Sequence, residues 1–212
     1  MKLSCLKLCL LTFAKDIAFA KYVSFLDLAI EGGVTSIQFR DKWLTPAKRF
    51  QFAKQLRDYT ARRNIPLIIN DDVELTKSIE ADGVHLGQSD FSAPKARESL
   101  APGTFIGLSI ESLPELQEAN KLTCLNYVAA SAVFPSNSKK NCKNYWGVNG
   151  LKGFIQLSKH PVVAIGGIKL THIQPIIKLG ASGIAVINAI HSAKDPKNMA
   201  AQIINEINLG SA

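Results

Sequence analysis

Cysteine is scarce in this 212-residue sequence, which contains only Cys5, Cys9, Cys124 and Cys142. No two of them form a C-x-x-C pair, and their density is far below that of a secreted disulfide scaffold. The pattern therefore excludes a disulfide-stapled domain. We expect free, buried thiols and a reducing, cytoplasmic compartment.

Long apolar runs are also missing, since no stretch approaches the roughly 18 to 20 residues that cross a bilayer. The apolar N-terminal segment is interrupted by Lys7, and no small-residue cleavage site follows it cleanly, which argues against a signal peptide. We therefore predict that Leu6–Leu11 is the first core strand and that no membrane is a partner.

No long run of like charge occurs, although 25 Lys and Arg against 17 Asp and Glu give a net charge of +8. The basic residues are scattered, and the longest clusters are pairs such as Arg62-Arg63 without interleaved aromatic residues. Nucleic acid is therefore not expected as a partner. The excess charge suits phosphorylated small molecules, or a solvated basic surface.

What the chain does contain is a repeated alternation of short, β-rich apolar runs with helical patterns. The candidate strands are Leu6–Leu11, Ser36–Phe39, Leu67–Ile69, Gly83–Leu86, Phe105–Leu108, Tyr127–Ala130, Val162–Ile165 and Gly183–Val186. Parallel strands need helical crossovers, and eight repeats suit a closed barrel better than a doubly wound sheet of five or six strands. We predict a single (β/α)8 TIM barrel of the α/β class, with one domain spanning residues 1–212.

Helical patterns fill most of the segments between these strands. A helix is predicted to begin at Pro46, with Phe50, Ala53 and Leu56 as its buried face. One segment, 135–150, is polar and poor in helix signals. A loop of that length is usually a lid or binding loop, or else mobile surface.

In a barrel of this kind the site lies at the carboxyl ends of the strands, so polar residues after each apolar run are candidates. Gln38, Arg40 and Lys42 follow the second strand at a spacing of two, which directs them to one side. An amide and two cations suit a phosphate or diphosphate, and a solvated strand end is the alternative.

Two carboxylates, Asp71 and Asp90, follow the third and fourth strands. Together they suit Mg²⁺, which takes one or two protein carboxylates and completes its shell with water and phosphate oxygens. The alternative is that each caps a helix or a turn. His85 lies within an apolar run and is predicted to be a hydrogen-bonded core histidine rather than a ligand.

Three further strand ends carry polar or glycine residues. Ser109 ends the fifth strand, and no partner His or Asp identifies it as a nucleophile. Gly166-Gly167 and Ile187-Asn188 end the seventh and eighth strands. Glycines there would let backbone N–H groups approach a phosphate, although tight turns alone would also explain them.

Six motifs occur in order between about Gly32 and Ile190. They are Gln38-Phe39-Arg40-Asp41-Lys42, Asn70-Asp71, Ala81 to Asp90, Gly107-Leu108-Ser109, Val133 to Lys139 and Ala164 to Ile168. Together with the end of the eighth strand, they resemble the thiamine-phosphate synthase family.

The resemblance implies a barrel that joins 4-amino-2-methyl-5-hydroxymethylpyrimidine diphosphate to hydroxyethylthiazole phosphate, giving thiamine phosphate and diphosphate. The implied reaction is a dissociative, Mg²⁺-assisted substitution without a protein nucleophile. By resemblance, the pyrimidine diphosphate is held by Gln38, Arg40, Lys42, Asn70, Ser109 and Lys139, and Mg²⁺ by Asp71 and Asp90. The thiazole phosphate is held by Ser136, Asn137, Ser138, Gly167, Ile187 and Asn188.

Three positions depart from the family pattern. Asp72 stands where the family commonly has Arg, which adds an anion beside the expected metal site. The first strand ends in Leu11-Thr12-Phe13-Ala14 rather than Val-Thr-Asp, and Asn188 replaces a usual serine. Diphosphate affinity would suffer unless Asp72 points elsewhere.

Two other functions remain open at this point. Thiazole tautomerases share the barrel, but they usually lose the metal-binding Asp positions and carry a His near the fifth strand, where this chain has Ile110-Glu111. A non-catalytic protein that binds thiamine precursors is the other alternative, suggested by Asp72. The sequence is compatible with a homo-oligomer but does not indicate one.

Overall fold

The computed structural model describes residues 2–15, 17–41, 43–136 and 144–211. Eight parallel strands pair in chain order, and the last pairs with the first, so the sheet is a closed barrel. The strands are β1 (Leu8–Leu11), β2 (Ser36–Phe39), β3 (Leu67–Asn70), β4 (Gly83–Leu86), β5 (Phe105–Ile110), β6 (Tyr127–Ser131), β7 (Val162–Ile165) and β8 (Gly183–Val186). This confirms the predicted TIM barrel.

Helices follow each strand. They are α1 (Phe19–Glu31), α2 (Pro46–Ala61), α3 (Val73–Ser78), α4 (Ala93–Ser99), α5 (Leu113–Ala119), α6 (Gly147–Leu157), α7 (Leu170–Lys178), α8 (Asn188–His191) and α9 (Pro196–Ser211). No helix within the described ranges is both long enough and apolar enough to cross a membrane.

The predicted strand bounds agree with the structure at β2, β4, β7 and β8. β1 begins two residues later than predicted, because Leu3–Leu6 forms a turn of 3₁₀ helix. β3, β5 and β6 extend past their predicted ends, to Asn70, Ile110 and Ser131. These extensions carry the sheet into polar residues at its carboxyl edge.

Alternation along each strand divides the apolar side chains into two clusters. Residues such as Leu10, Ile37 and Val84 pack in the larger cluster with residues of the surrounding helices. A smaller cluster, which includes Cys9 and Tyr127, fills the barrel interior. Two residues beyond an interior residue, toward the carboxyl end of the strand, the side chain again points inward. At that level it faces the mouth of the barrel.

The buried face of α2 differs from the prediction at one residue. Phe50 is 45% exposed, whereas Phe52 is 7% exposed and stacks on Phe39 of β2 at a ring-centroid distance of 5.7 Å. Two residues span about 200° around a helix, so only one of these rings can face the barrel. Phe39 and Phe19 pack against the Phe52 ring, and the spacing of apolar residues along α2 contains no information about these partners.

The loop predicted over 135–150 ends earlier than expected, because α6 begins at Gly147. Trp146 precedes that helix, is buried, and packs edge to face on Phe154 with ring centroids 5.0 Å apart. Residues 137–143 lie outside the described part of the chain, so the lid prediction is not tested.

The three described cysteines are free thiols, as predicted, but Cys124 is only half-buried. Cys5 and Cys9 lie in the barrel interior, and burial raises the pKa of Cys5 to about 11 and that of Cys9 to about 12. Both thiols therefore stay protonated at neutral pH and are poor nucleophiles.

Candidate active site

Two adjoining cavities open at the carboxyl end of the barrel. The first, of about 370 Å³, is called the Asp90 cavity and is lined by Leu11, Gln38, Arg40, Asn70, Asp71, His85, Gly87, Gln88, Ser89, Asp90, Ser109, Glu111, Ser131 and Ile165. The second, of about 380 Å³, is called the Gly167 cavity and is lined by Leu11, Arg40, Ser131, Ala132, Pro135, Ser136, Ile165, Gly166, Gly167, Ile168, Lys169, Ala185, Val186, Ile187, Asn188, Ala189 and Ser192. Leu11, Arg40, Ser131 and Ile165 line both cavities.

The floor of the Asp90 cavity follows from the strand alternation. Gln38, Asn70 and His85 are the last inward residues of β2, β3 and β4, and Asn70 pairs with His85 in the register. All three are buried, with Gln38 only 4% exposed. Fixed polar groups at this depth can orient a ligand without first being ordered themselves.

Arg40 is held by its backbone at the junction of the two cavities. Its N–H donates to Thr12 Oγ1 at 2.8 Å, and that hydroxyl donates to Asp41 Oδ2 at 2.6 Å. Asp41 also accepts from the Ala14 N–H at 3.1 Å and is 2% exposed. Asp41 therefore ties the β1 and β2 loops together, while Arg40 is directed to the cavities as its spacing predicts.

Asp71 and Asp90 both reach the Asp90 cavity. Asp71 adopts a left-handed conformation with φ of +66°, and its N–H donates to the His85 carbonyl at 2.8 Å. Asp90 Oδ2 accepts from the Gly87 N–H at 2.7 Å. Asp90 thus fulfils the turn-capping alternative and lines the cavity as well.

Helix capping at this edge is done by Asp72 rather than by Asp71. Asp72 Oδ1 accepts from the Leu75 N–H at 2.9 Å, and its Oδ2 accepts from Arg49 Nη1 at 3.0 Å. Asp72 lines neither of the two cavities. The anion that the sequence places beside the expected metal site therefore points to α2 and α3.

Ser109 has a histidine partner, contrary to the sequence analysis. His85 Nε2 lies 2.9 Å from Ser109 Oγ, and His85 Nδ1 lies 2.9 Å from the hydroxyl of Tyr127. His85 is a buried, hydrogen-bonded histidine as predicted, and it also lines the Asp90 cavity. The pairing was missed because β4 and β5 are adjacent in space and 24 residues apart in sequence.

The Gly167 cavity owes its shape to a close backbone approach. Gly166 and Gly167 have φ of +101° and +61°, and a Cβ on Gly167 would lie 2.4 Å from the Pro135 carbonyl oxygen. Only glycine fits this position without displacing the segment after β6. Ser136 and the start of α8, with Ile187 and Asn188, complete this wall.

A hydrogen-bonded pair supports the start of α8 from behind. His191 Nδ1 lies 2.9 Å from the Ile187 carbonyl, and its Nε2 lies 2.7 Å from the Tyr22 hydroxyl. The same hydroxyl accepts from the Phe13 N–H at 3.1 Å. Burial lowers the pKa of His191, so the neutral ring is the favoured form.

The two cavities differ in charge. The described lining of the Gly167 cavity contains the cations Arg40 and Lys169 and no carboxylate. The Asp90 cavity has Arg40 together with Asp71, Asp90 and Glu111. The first suits a phosphate monoester, whereas the second suits an anion that arrives with a divalent cation.

Most of the sequence-predicted site residues gather at this mouth. Gln38, Arg40, Asn70, Asp71, Asp90 and Ser109 line the Asp90 cavity, and Ser136, Gly167, Ile187 and Asn188 line the Gly167 cavity. Lys42, Asn137, Ser138 and Lys139 lie outside the described residues. The prediction missed Ser131 and Glu111, although Ser131 lies four residues after Tyr127 on the same strand face.

Comparisons with known proteins are consistent along the chain. The family model described as thiamine monophosphate synthase (TMP-TENI) matches residues 8–190. A thiamine-phosphate synthase of Vibrio campbellii is 42% identical over 169 residues, covering 80% of this chain and 82% of its own length. One from Chlamydia caviae is 36% identical over 201 residues, covering 95% and 94%.

A solved structure agrees with these sequence matches. The thiamine phosphate pyrophosphorylase of Pyrococcus furiosus superposes with a TM-score of 0.86 at 32% identity and covers 99% of both chains. The similarity therefore extends over the whole barrel.

Proposed function

The chain belongs to the thiamine monophosphate synthase family, and from that premise we propose how its barrel mouth carries out the synthase reaction. The reaction joins 4-amino-2-methyl-5-hydroxymethylpyrimidine diphosphate to hydroxyethylthiazole phosphate. The products are thiamine phosphate and diphosphate. The enzyme is a transferase, and in this proposal its substrates are phosphorylated small molecules.

The observation that carries the proposal is the pair of cavities that share Arg40. A condensation requires two substrates side by side, with the reacting atoms near a common boundary. The Asp90 cavity suits the pyrimidine diphosphate, and the Gly167 cavity suits the thiazole phosphate. Arg40, Ser131 and Leu11 lie on the boundary between them.

The donor set of the Asp90 cavity fits Mg²⁺. Asp71 and Asp90 supply carboxylate oxygens from neighbouring strand ends, and one or two such groups are the usual protein share of a Mg²⁺ shell. No group of three or more His, Cys, Asp or Glu side chains suited to a metal occurs within the described ranges. We propose a two-carboxylate site completed by diphosphate oxygens and water. Bound Mg²⁺ would neutralise charge on the diphosphate as it leaves.

Arg40 would stabilise the departing diphosphate through its guanidinium, together with Lys42 and Lys139. Gln38 and Asn70 are buried amides that would orient the pyrimidine ring from the cavity floor. The ring's own electron density would stabilise the cation formed when the carbon–oxygen bond breaks. The thiazole nitrogen then captures that carbon, so no protein nucleophile enters the reaction.

The thiazole phosphate would be held by backbone N–H groups and small side chains. Gly167 lines the cavity after β7, Ile187 and Asn188 line it at the start of α8, and Ser136 lines it from the segment after β6. Asn137 and Ser138 complete this set in the proposal. Because Asn188, like Gly167 and Ile187, would contribute its backbone group, the change from the family's usual serine to asparagine is compatible with binding.

Asp72 no longer motivates the non-catalytic alternative, because its carboxylate is engaged with Leu75 and Arg49. The presence of both Asp71 and Asp90 in one cavity also favours a synthase over a tautomerase. We further propose that residues 1–212 act as one domain in the cytoplasm. Nothing in the proposal requires a nucleic acid, a membrane or a second copy of the chain.

An end-point assay with the pyrimidine diphosphate, the thiazole phosphate and Mg²⁺ tests this function. Thiamine phosphate is read as thiochrome fluorescence after oxidation, with parallel samples that omit one substrate or contain EDTA. We expect product only when both substrates and Mg²⁺ are present. Isomerised thiazole phosphate without diphosphate release would indicate a tautomerase, and saturable binding without turnover would indicate a binding protein.

A further inference from the structure

We propose that Tyr127 fixes the ring tautomer of His85 and thereby makes Ser109 a hydrogen-bond donor to the substrate rather than a nucleophile. Tyr127 is a positioning residue in this proposal, because it acts on the ligand only through His85 and Ser109. The inference deepens the proposed function and rests on it for the identity of the ligand. Its structural part, the tautomer, is independent of that function.

The argument begins with the buried phenol. Tyr127 is 3% exposed, and burial raises the pKa of its hydroxyl well above the ordinary value, so the proton stays on the oxygen. The partner of that hydroxyl within the described chain is His85 Nδ1, at 2.9 Å. A buried O–H without an acceptor is costly, so the phenol donates its proton to Nδ1.

This donation determines the rest of the chain of hydrogen bonds. A neutral imidazole carries one N–H, so a Nδ1 that accepts leaves the proton on Nε2. Nε2 then donates to Ser109 Oγ, 2.9 Å away. The hydroxyl hydrogen of Ser109 is left to point into the Asp90 cavity, which Ser109 lines.

The fold holds Tyr127 firmly in this place. Gly107 lies opposite Tyr127 in the β5–β6 register, and a Cβ on Gly107 would be 2.2 Å from Tyr127 Cζ. The Tyr127 and His85 rings also stack, with centroids 5.5 Å apart. The position of the phenol is thus set by the strands and not by the ligand.

The tautomer distinguishes two chemistries that the same three residues could support. A serine nucleophile needs an unprotonated Nε2 to take its proton, as in Ser–His–Asp sites where the acid accepts from Nδ1–H. Here the third group is a phenol that donates to Nδ1, which reverses that arrangement. Ser109 therefore offers a proton to an acceptor, such as a ring nitrogen or a phosphate oxygen.

The first test measures the tautomer directly in the full-length chain without substrate. Two-bond ¹H–¹⁵N correlation spectra at pH 8 distinguish Nε2–H from Nδ1–H, and a His85→Gln sample assigns the His85 signals. We expect the Nε2–H form in the native protein and a mixture of both forms in Tyr127→Phe. A native His85 in the Nδ1–H form would overturn the proposal whatever reaction the protein catalyses.

The second test asks whether Tyr127 acts through Ser109. We expect Tyr127→Phe to lower kcat/KM by about tenfold, the effect of one misdirected hydrogen bond. In a Ser109→Ala background the same change should alter kcat/KM less than twofold, because the hydroxyl that Tyr127 is proposed to orient is then absent. Equal tenfold losses in both backgrounds would show that Tyr127 acts by another route and would contradict the proposal.

Matched variants separate positioning from general loss of packing. Tyr59→Phe removes another buried tyrosine hydroxyl, which donates to Asp27 at 2.8 Å and lies on α2 away from both cavities. It should leave kcat/KM unchanged. His85→Gln places an amide N–H near the Nε2 position and should retain more activity than His85→Asn, and the reverse order would overturn the assignment of Nε2 as donor.

Covalent labelling provides a readout without turnover. Incubation with an excess of diisopropyl fluorophosphate, followed by mass spectrometry, should leave Ser109 unmodified. Stoichiometric modification at Ser109 would identify an activated nucleophile and would contradict the donor role. If the synthase assay gave no product while the tautomer and labelling results agreed with expectation, the proposed substrates would be wrong and the hydrogen-bond assignment would stand.

Discussion

Asp72 Oδ2 accepts a hydrogen bond from Arg49 Nη1 at 3.0 Å, which joins the start of α3 to the first half of α2. The other oxygen of Asp72 caps α3 at Leu75. Both interactions turn the carboxylate away from the Asp90 cavity. Asp72 therefore has a structural role at the start of α3.

Substitution of Asp72 should change stability more than activity. Asp72→Ala removes the cap and the half-exposed ion pair, and we expect a loss of about 1 to 2 kcal/mol in the free energy of unfolding. Asp72→Asn keeps a capping oxygen and should lose less than about 1 kcal/mol. Urea unfolding measures both values, and a large loss of kcat in Asp72→Asn at unchanged stability would contradict a purely structural role.

Asp90→Asn should separate metal binding from folding. The amide oxygen of Asn can still accept from the Gly87 N–H, so the turn is retained while the charge is lost. We expect kcat to fall on the order of 100-fold, consistent with the several kcal/mol that a bound metal contributes. The thermal shift produced by Mg²⁺ with diphosphate should also disappear.

The matched control for this variant is Asp195→Asn. Asp195 Oδ1 accepts from the Asn198 N–H at 2.9 Å at the start of α9 and lines neither cavity. It should leave kcat and the Mg²⁺-dependent shift as they are in the native protein. If Asp90→Asn showed the same Mg²⁺-dependent thermal shift as the native protein, the assignment of Asp90 as a Mg²⁺ ligand would be wrong.

Gly167→Ala should close the phosphate end of the Gly167 cavity. A Cβ there would lie 2.4 Å from the Pro135 carbonyl oxygen, and φ is +61°. We expect KM for the thiazole phosphate to rise at least tenfold while KM for the pyrimidine diphosphate changes little. Gly153→Ala is the control, because no atom lies within 4 Å of its added Cβ, and in α6 it should be neutral or stabilising by about 0.5 to 1 kcal/mol. Equal effects on both KM values would contradict the division of substrates between the cavities.

Stability should fall as the solution is acidified because of His191. Burial holds the folded-state pKa of His191 below its ordinary value of 6.5, so the unfolded chain binds the proton more readily. The stabilisation is fully present above pH 6.5 and is lost as the pH falls from there through the folded-state pKa. The negative charge of Asp41 raises the pKa of His191 and so opposes part of the downward shift caused by burial.

The measurement is the urea-unfolding free energy of the native chain and of His191→Gln between pH 7.5 and 5. The glutamine side chain does not titrate, so the pH slope below 6.5 should be smaller in the variant. An identical slope in the two proteins would assign the acid sensitivity to other groups.

The barrel was predictable because its signals are local. Each strand is a short apolar run bounded by helix signals, and four of the eight strand bounds agree to the residue. The wrong predictions concern contacts between residues that are distant in sequence. Phe52 is buried instead of Phe50 because Phe39 and Phe19 meet it from β2 and α1, and such contacts leave no trace in the spacing along α2.

In the candidate site too, residues with a local signal were predicted and contacts between distant residues were not. Gln38, Arg40, Asp71 and Asp90 were identified because polar residues at strand ends stand out against apolar runs. The hydrogen bonds among Tyr127, His85 and Ser109 were not, since they join three strands through the barrel interior. Proximity in sequence placed Asp72 beside the expected metal site, whereas its partner Arg49 comes from a neighbouring helix.

The central claim is that one barrel mouth holds two substrates in separate cavities that meet at Arg40. The most direct measurement is a crystal structure of the chain with thiamine phosphate, diphosphate and Mg²⁺. We predict the phosphate monoester at Gly167 and Asn188, and diphosphate with Mg²⁺ at Asp71, Asp90 and Arg40. Diphosphate at Gly167, or Mg²⁺ bound away from both aspartates, would contradict the account.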